Sequence, residues 1–279
     1  MIYDCFTFFN ELDLLDIRLN ILNDVVDKFV IVEATDTHQG KPKPLYYSDN
    51  KERFKAFQHK IIHVVVDDFP SNASAWTREQ IQRRKISGGL EDCGPDDVIV
   101  VSDLDEIPDP KKIRQFQNDP GLKVFQQKNF YYYLNCLALD EEWYGSVMAF
   151  RKDFDDPQDL REVAKEMHAR NKKILRKPLY RFVRSLRNPL LRKKITLIDN
   201  GGWQFGYLGS VDNAIQKIEA FAHDEYNKSE FKNKEAIQER IRSGKDLFGR
   251  DLNYTFVELD NSFPEYIILN KERLKHLIR

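Results

Sequence analysis

The sequence predicts an α/β fold: a mainly parallel central sheet flanked by helices, with a smaller antiparallel part towards the C-terminus. Short apolar runs of strand length recur at Ile2–Phe9, Lys28–Ala34, His59–Val66 and Val98–Ser102. Stretches of helical period lie between them. Glu11–Leu22 puts Leu12, Leu15, Leu19 and Leu22 on one face, and Ser74–Leu90 opens on a serine and stops at Gly88-Gly89. Strands that read as continuous apolar runs are covered on both faces, which is the habit of parallel sheets.

The remaining elements follow in order. Asp109 and Pro110 look like the N-cap and first position of a helix through Phe116. Lys123–Asn135 and Trp143–Arg151 read as longer, antiparallel strands, and Ile195–Leu208 as strand, turn, strand. Asn213–Ala222 and Lys234–Arg242 read as helices, and Pro264–Asn270 as a late apolar segment. There is no internal repeat and no low-complexity linker. The expectation is one domain over 1–279, in two halves, 1–118 and 119–279, the second carrying a basic insertion at 167–198.

Hydrophobic residues make up 41% of the chain, enough for a sizeable core, and the net charge of −1 argues against a polycation that binds nucleic acid. Three cysteines, Cys5, Cys93 and Cys136, form no C-x-x-C pair, so neither a disulfide framework nor a zinc knuckle is expected. No apolar run reaches the ~18 residues that span a bilayer. The first residues carry acids and no basic lead-in, unlike a signal peptide. These features point to the cytoplasm. One segment stands apart: Met167 to Ile198 holds eleven Lys and Arg and no acid. Within it, Leu179, Phe182, Val183, Leu186 and Leu190 fall at helical spacing, with Arg181, Arg184 and Arg187 offset. Such a basic amphipathic helix suits an anionic membrane surface, a peripheral contact through 170–194 at the inner face. A solvated surface helix fits it equally well.

The most informative stretch is Val98–Pro110, VIVVSDLDEIPDP, where a buried strand runs into Asp103, Asp105 and Glu106. In open α/β sheets ligands sit at the carboxyl ends of the strands. That places Asn10-Glu11, Glu33, Asp67-Asp68 and Asp103–Asp105 on one rim. Two carboxylates at i and i+2 suit a hard divalent ion, Mn²⁺ or Mg²⁺, whose usual companion is a diphosphate. An N-cap at a strand-to-helix turn explains one aspartate, not this group. Two enzyme classes use Asp-x-Asp in this way. A phosphohydrolase with Asp103 as nucleophile carries it in its first strand; a nucleotide-sugar transferase carries it after the fourth. Position and strand count favour the transferase.

The stretches FNELDLLDIRL, DKFVIVEATDTHQGKPKPL, REQIQRRKISGGL, DDVIVVSDLDEIP, GGWQFGYLG and AFAHDEYN, in that order between residue 6 and about residue 228, resemble glycosyltransferase family 17. The resemblance implies a GT-A fold, a nucleotide-binding half at 1–118 and an acceptor-side half at 119–279. It implies a UDP-sugar donor, UDP-GlcNAc first, and a glycan or lipid-linked glycan acceptor. It also implies Mn²⁺ or Mg²⁺ and β-1,4-N-acetylglucosaminyl-type transfer with inversion. Two departures stand out. The family often shows GGWH where this chain has Gly201-Gly202-Trp203-Gln204, so the expected third metal ligand is Gln204, a neutral oxygen, with His223 as substitute. A degenerate protein that binds a nucleotide sugar without turnover is the corresponding alternative. The membrane anchor and stem of the animal enzyme have no counterpart, so a Golgi location is not carried over.

The expected roles follow. Asp103, Asp105 and Gln204 hold the metal; Glu11, Glu33, Arg83, Asp103 and Leu104 contact the nucleotide sugar. Arg83 is preferred to Arg84 because adjacent helical residues do not point the same way. Trp203 and His223 meet substrate, Trp203 by offering a ring face to a pyranose. Asp199 is the expected base, with Asp140, Glu141, Glu142 and Asp212 as rivals. In Tyr131-Tyr132-Tyr133, alternation along a strand sends at most one side to a cleft.

Overall fold

The computed structural model describes residues 1–171 and 185–279. In chain order its main elements are β1 (Ile2–Phe8), α1 (Leu12–Leu22), β2 (Lys28–Ala34), α2 (Tyr46–Asp49), β3 (Ile61–Val66), α3 (Ala75–Arg84), β4 (Val98–Asp103), β5 (Glu106–Pro108) and α4 (Pro110–Phe116). There follow β6 (Leu122–Tyr131), β7 (Cys136–Phe150), α5 (Pro157–Asn171), β8 (Ile195–Gly206), α6 (Val211–Ala220), α7 (Lys234–Arg242), β9 (Tyr254–Phe256) and α8 (Glu265–Leu269). The strands form one sheet in the order β3-β2-β1-β4-β7-β6-β8-β5, with β9 beside β7.

The α/β class is the expected one. The parallel half is β3-β2-β1-β4, and its central strands are continuous buried runs because the sheet is covered on both sides. On one face α1 lays Leu14, Leu15, Ile17, Leu19 and Leu22 against the sheet, closed over by Phe263, Ile267, Leu274 and Leu277 from the C-terminal segment. On the other face α5 contributes Leu160, Val163 and Ala164. The second half is more antiparallel than parallel: β7 runs antiparallel to β4, β6 and β9, and β5 to β8, while β6 and β8 are parallel.

Three elements differ from the sequence reading. Ile195–Leu208 is one strand, not a hairpin: the Asn200–Gly202 kink (φ 48° and 141°) is absorbed as a register shift against β6. Gly202 is required there, since a Cβ would fall 2.2 Å from the Ile107 carbonyl. The strand expected to reach Asn135 stops at Tyr131, because Tyr132 adopts φ 66°. Pro264–Asn270 contains the short helix α8. Most of the basic helix expected over Pro178–Pro189 lies outside the described residues; among those described, Leu190 is buried and Leu186 exposed. No helix among the described residues is long and apolar enough to cross a membrane.

One side chain ties the sheet to the acidic turn. Arg18 of α1 is fully buried and pairs with the equally buried Asp4 of β1, Nε to Oδ2 at 2.8 Å and Nη2 to Oδ1 at 2.6 Å. Nη2 also donates to Ser102 Oγ at 2.6 Å. Nη1 donates to the carbonyls of Asp103, Leu104 and Glu106 at 3.0, 3.0 and 2.9 Å. The turn after β4 is thus fixed by its backbone, which leaves its carboxylates for other uses. Removing one partner of a buried ion pair leaves an uncompensated charge. Arg18→Met is therefore expected to lower unfolding free energy by about 3–5 kcal/mol in urea denaturation. The Asp4→Leu/Arg18→Met double variant should recover part of this, and not all, because the Asp103 and Leu104 carbonyls still lose the donor that Arg18 gave them.

Candidate functional site

A cleft of about 620 Å³ opens at the carboxyl ends of β1 and β4. Its floor is the Asp103–Glu106 turn, and its walls come from α3, α5, β7 and α6. The turn residues are matched by cations from three helices. Asp103 Oδ1 accepts from Arg83 Nη2 of α3, and Oδ2 from Arg161 Nη2 of α5, both at 2.8 Å. Asp105 Oδ2 accepts from Lys217 Nζ of α6 at 2.9 Å, and the same ammonium lies 3.1 Å from Glu11 Oε1. Glu106 is fully buried. It takes Arg161 Nη1 on both oxygens at 2.8 and 2.9 Å, Trp143 Nε1 at 2.7 Å and the Asp103 amide at 2.8 Å. Gly145 makes room for it: a Cβ there would stand 2.2 Å from the Glu106 carboxyl carbon.

These pairings set the protonation states. Burial pushes Asp103 up, but Arg161 and then Arg83 more than reverse it, holding the carboxyl well below its ordinary range. Glu106 moves the other way: burial raises it, Arg161 offsets part, and the negative charges of Asp103 and Asp105 add to the rise. Burial lowers His38, whose Nε2 lies 2.8 Å from Gln82 Oε1 in the cleft wall. That bond makes Nε2 the donor.

Some groups are left with spare capacity. Arg83 Nε and Arg161 Nε are buried without an acceptor, and Gln204 Oε1 is buried without a donor. Gln204 pairs with Glu106 in the β5–β8 register, and the next amide, Phe205 N, donates to the Asp105 carbonyl at 2.8 Å. An orphaned amide oxygen beside a carboxylate-bearing turn is the donor chemistry a hard cation takes. Among the described residues no group of three or more His, Cys, Asp or Glu gathers as a metal cage. Any such ion would therefore rest on Asp105, Gln204 and Asp103 together with oxygens of a bound ligand.

The structure brings Glu11, Arg83, Asp103, Leu104, Asp105, Gln204 and His223 to this one cleft. It does not bring three others. Glu33 is wholly buried away from it, bonded to the Tyr47 amide at 3.1 Å and His63 at 3.1 Å, with Lys43 at 3.5 Å. Trp203 is a core residue whose Nε1 donates to the Ser262 carbonyl at 3.0 Å. Asp199 is exposed and lies before the β8 kink, at the level of Phe125–Gln127, outside the cleft lining. Of its rivals, Glu141 lines the cleft and is 5% exposed; Glu142 is exposed and takes the Tyr144 hydroxyl at 3.2 Å; Asp212 is exposed beside Lys234. His223 is half-exposed, with Nδ1 at 2.6 Å from Glu225 Oε1. Of the three tyrosines, Tyr131 alone lines the cleft.

The sequence reading missed Arg161, Lys165 and His168, which all line the cleft from α5. Their signal was present: positions i, i+4 and i+7 form one stripe of a helix. It also missed Lys217, Trp76 and Trp143.

The class the fold defines is a mixed α/β protein whose acidic turn and converging cations lie at the carboxyl rim of a parallel half-sheet, the edge at which such sheets bind ligands. The family follows from sequence: residues 1–162 match the model of Glycosyltransferase family 17, and the chain belongs to that family. Beta-1,4-mannosyl-glycoprotein 4-beta-N-acetylglucosaminyltransferase of Homo sapiens is 36% identical over 107 residues, covering 36% of this chain and 20% of the relative. The Rattus norvegicus protein gives the same figures. The matched region is thus about a fifth of those relatives' length. Among solved structures, glucosyl-3-phosphoglycerate synthase from Mycobacterium tuberculosis in complex with Mn²⁺ and UDP-Glc overlaps 96% of this chain and 91% of its own, at TM-score 0.39 and 12% identity. HddC from Yersinia pseudotuberculosis overlaps 58% and 78%, at TM-score 0.34 and 10% identity.

Arg161→Leu is expected to destabilise the fold by about 3 kcal/mol, because buried Glu106 loses its counter-charge. Arg84→Leu, which breaks only an exposed pair with Asp156, should change stability little. Urea unfolding of the two variants checks the contrast.

Proposed function

We propose that the protein transfers GlcNAc from UDP-GlcNAc to a hydroxyl of a mannose-bearing glycan, with inversion and with a divalent ion at the Asp-x-Asp turn. One observation carries this reading. The acidic turn of a family 17 chain sits at the carboxyl rim of the parallel half-sheet, faced by Arg83, Arg161 and Lys217. Three cations converging where a nucleotide phosphate is expected suit a diphosphate. The name of the 36% identical relatives supports the sugar and the acceptor class. A phosphohydrolase reading is disfavoured by geometry: both oxygens of Asp103 are held by arginines, so the carboxylate is not a free nucleophile.

In this reading the guanidinium groups of Arg83 and Arg161 bind the diphosphate and stabilise the charge that grows on UDP as it leaves. Asp105, Asp103 and Gln204 hold the ion, which when bound neutralises phosphate charge. Glu141 takes the place expected for Asp199 as base. It is enclosed in the cleft, and Asn129 Nδ2 orients its Oε2 from 3.0 Å. The acceptor hydroxyl gives its proton to Glu141 and attacks the anomeric carbon opposite the departing UDP.

Two tests follow. UDP-GlcNAc with Mn²⁺ is expected to raise the melting temperature more than UDP-Glc, UDP-Gal or GDP-Man, by the equivalent of about 2.7 kcal/mol at a hundred times Kd. EDTA or Asp105→Asn should abolish the rise; no rise with any nucleotide sugar would sink the reading. Glu141→Gln is expected to cut GlcNAc transfer to a mannose-terminated glycoprotein, read as UDP release, by about 100-fold or more while UDP binding persists. Unchanged turnover would remove Glu141 as the base.

A further inference from the structure

Among the described residues, Lys217 is the one cation at the acidic turn that comes from beyond residues 1–162 matched by the family model. Its helix, α6, is capped by Ser210, whose Oγ accepts the Asn213 amide at 3.2 Å. The helix is pinned across the cleft by Asn10 Nδ2, which donates to Gln216 Oε1 at 3.0 Å. This sets the Lys217 ammonium between Asp105 and Glu11, 5.6 Å from the centre of the Tyr207 ring.

We propose that Lys217 is a built-in counter-ion of the Asp-x-Asp turn. It neutralises Asp105 and Glu11 when no ligand is present, competes with a divalent ion for Asp105, and turns to the diphosphate once donor and ion are loaded. The inference rests on the functional reading above. Its physical basis is simple. The same Asp105 oxygen cannot serve an ammonium at 2.9 Å and a dication without the two cations repelling each other. Asp103 cannot replace it alone, because each of its oxygens is already shared with an arginine. Gln204 adds an oxygen but no charge. The ion alone therefore meets a turn whose negative charge is already matched. A diphosphate brings fresh negative charge, and it makes room for both cations. Metal and nucleotide binding should then be strongly coupled, and by linkage each must strengthen the other equally.

The experiment is calorimetric titration of wild type, Lys217→Met, Lys217→Gln and Lys217→Arg with Mn²⁺ alone, with UDP in EDTA, and with UDP and Mn²⁺ together. The neutral variants are expected to bind Mn²⁺ alone about 10-fold more tightly than wild type, and UDP in EDTA about 10-fold more weakly, the size of one charged hydrogen bond. Lys217→Arg should stay close to wild type in both. Two neutral variants guard against one that fails to fold, and melting curves verify each. If wild type binds UDP with Mn²⁺ but the folded neutral variants bind Mn²⁺ no better than it does, Lys217 is not a competitor and the proposal fails. If wild type binds neither UDP nor Mn²⁺, the functional reading itself falls, and this inference falls with it.

Discussion

A guanidinium with no exposure to solvent underlies the acidic turn, and the cleft depends on it. Arg18 uses its donors on Asp4, Ser102 and three carbonyls of the turn, so α1, β1, β4 and the turn become one unit. The planar fork of arginine suits this task in a way that a lysine ammonium does not. The cost of burying the charge is met by Asp4, which is buried to the same degree. What results is backbone rigidity at the place where three acidic side chains must be held close together.

A second tier of cations then balances those side chains. Arg161 is the keystone of this tier, because it spans Asp103 and Glu106 at once. Its presence explains why Glu106, the most buried acid of the three, is tolerated at all: the carboxyl receives a guanidinium, an indole N–H and a backbone amide. Glu106 is therefore a structural acid that positions Arg161 and Trp143. Asp103 and Asp105 are the more exposed acids of the cleft floor. The separation of roles within one short acidic run is set by burial, not by residue type.

The sequence made some of this legible and hid the rest for definite reasons. The strands of the parallel half were readable because continuous apolar runs need no tertiary information to be recognised, but β3, read as buried like the rest, is the edge strand and buries only Val66. The Asp109 cap and Pro110 start of α4 were readable because capping is local chemistry, and the cap does accept the Lys111 amide at 2.8 Å. The three-residue strand β5 was too short to show any period. Asp199 was expected at the cleft because Gly201-Gly202 reads as a turn, and Trp203 because its ring face suits a pyranose. The kink is instead absorbed within β8, which puts Asp199 out in solvent and Trp203 in the core. Glu33 ends a strand at the rim, but Tyr47, His63 and Lys43 draw its carboxylate away, and none of those contacts is visible from neighbours in sequence.

The distribution of the site along the chain has a consequence for how its parts vary. The acidic turn, Arg18, Arg83 and Arg161 all lie within the stretch that matches the family; Arg18 holds the turn from beneath, and Arg83 and Arg161 meet it in the cleft. Gln204, Lys217, His223, Phe248 and Arg250 line the same cleft from beyond that stretch. Arg250 is held to buried Asp246 at 2.7 Å and donates to the Tyr131 hydroxyl at 2.9 Å, so this side too is built on a fixed charge. A rigid floor with a separately encoded wall lets the wall change its chemistry without disturbing the turn beneath. Substitution at Gln204 is the natural instance. It alters one side-chain oxygen of the cleft wall, while the hydrogen bonds of Arg18, none of which goes to the Gln204 side chain, keep the turn in place.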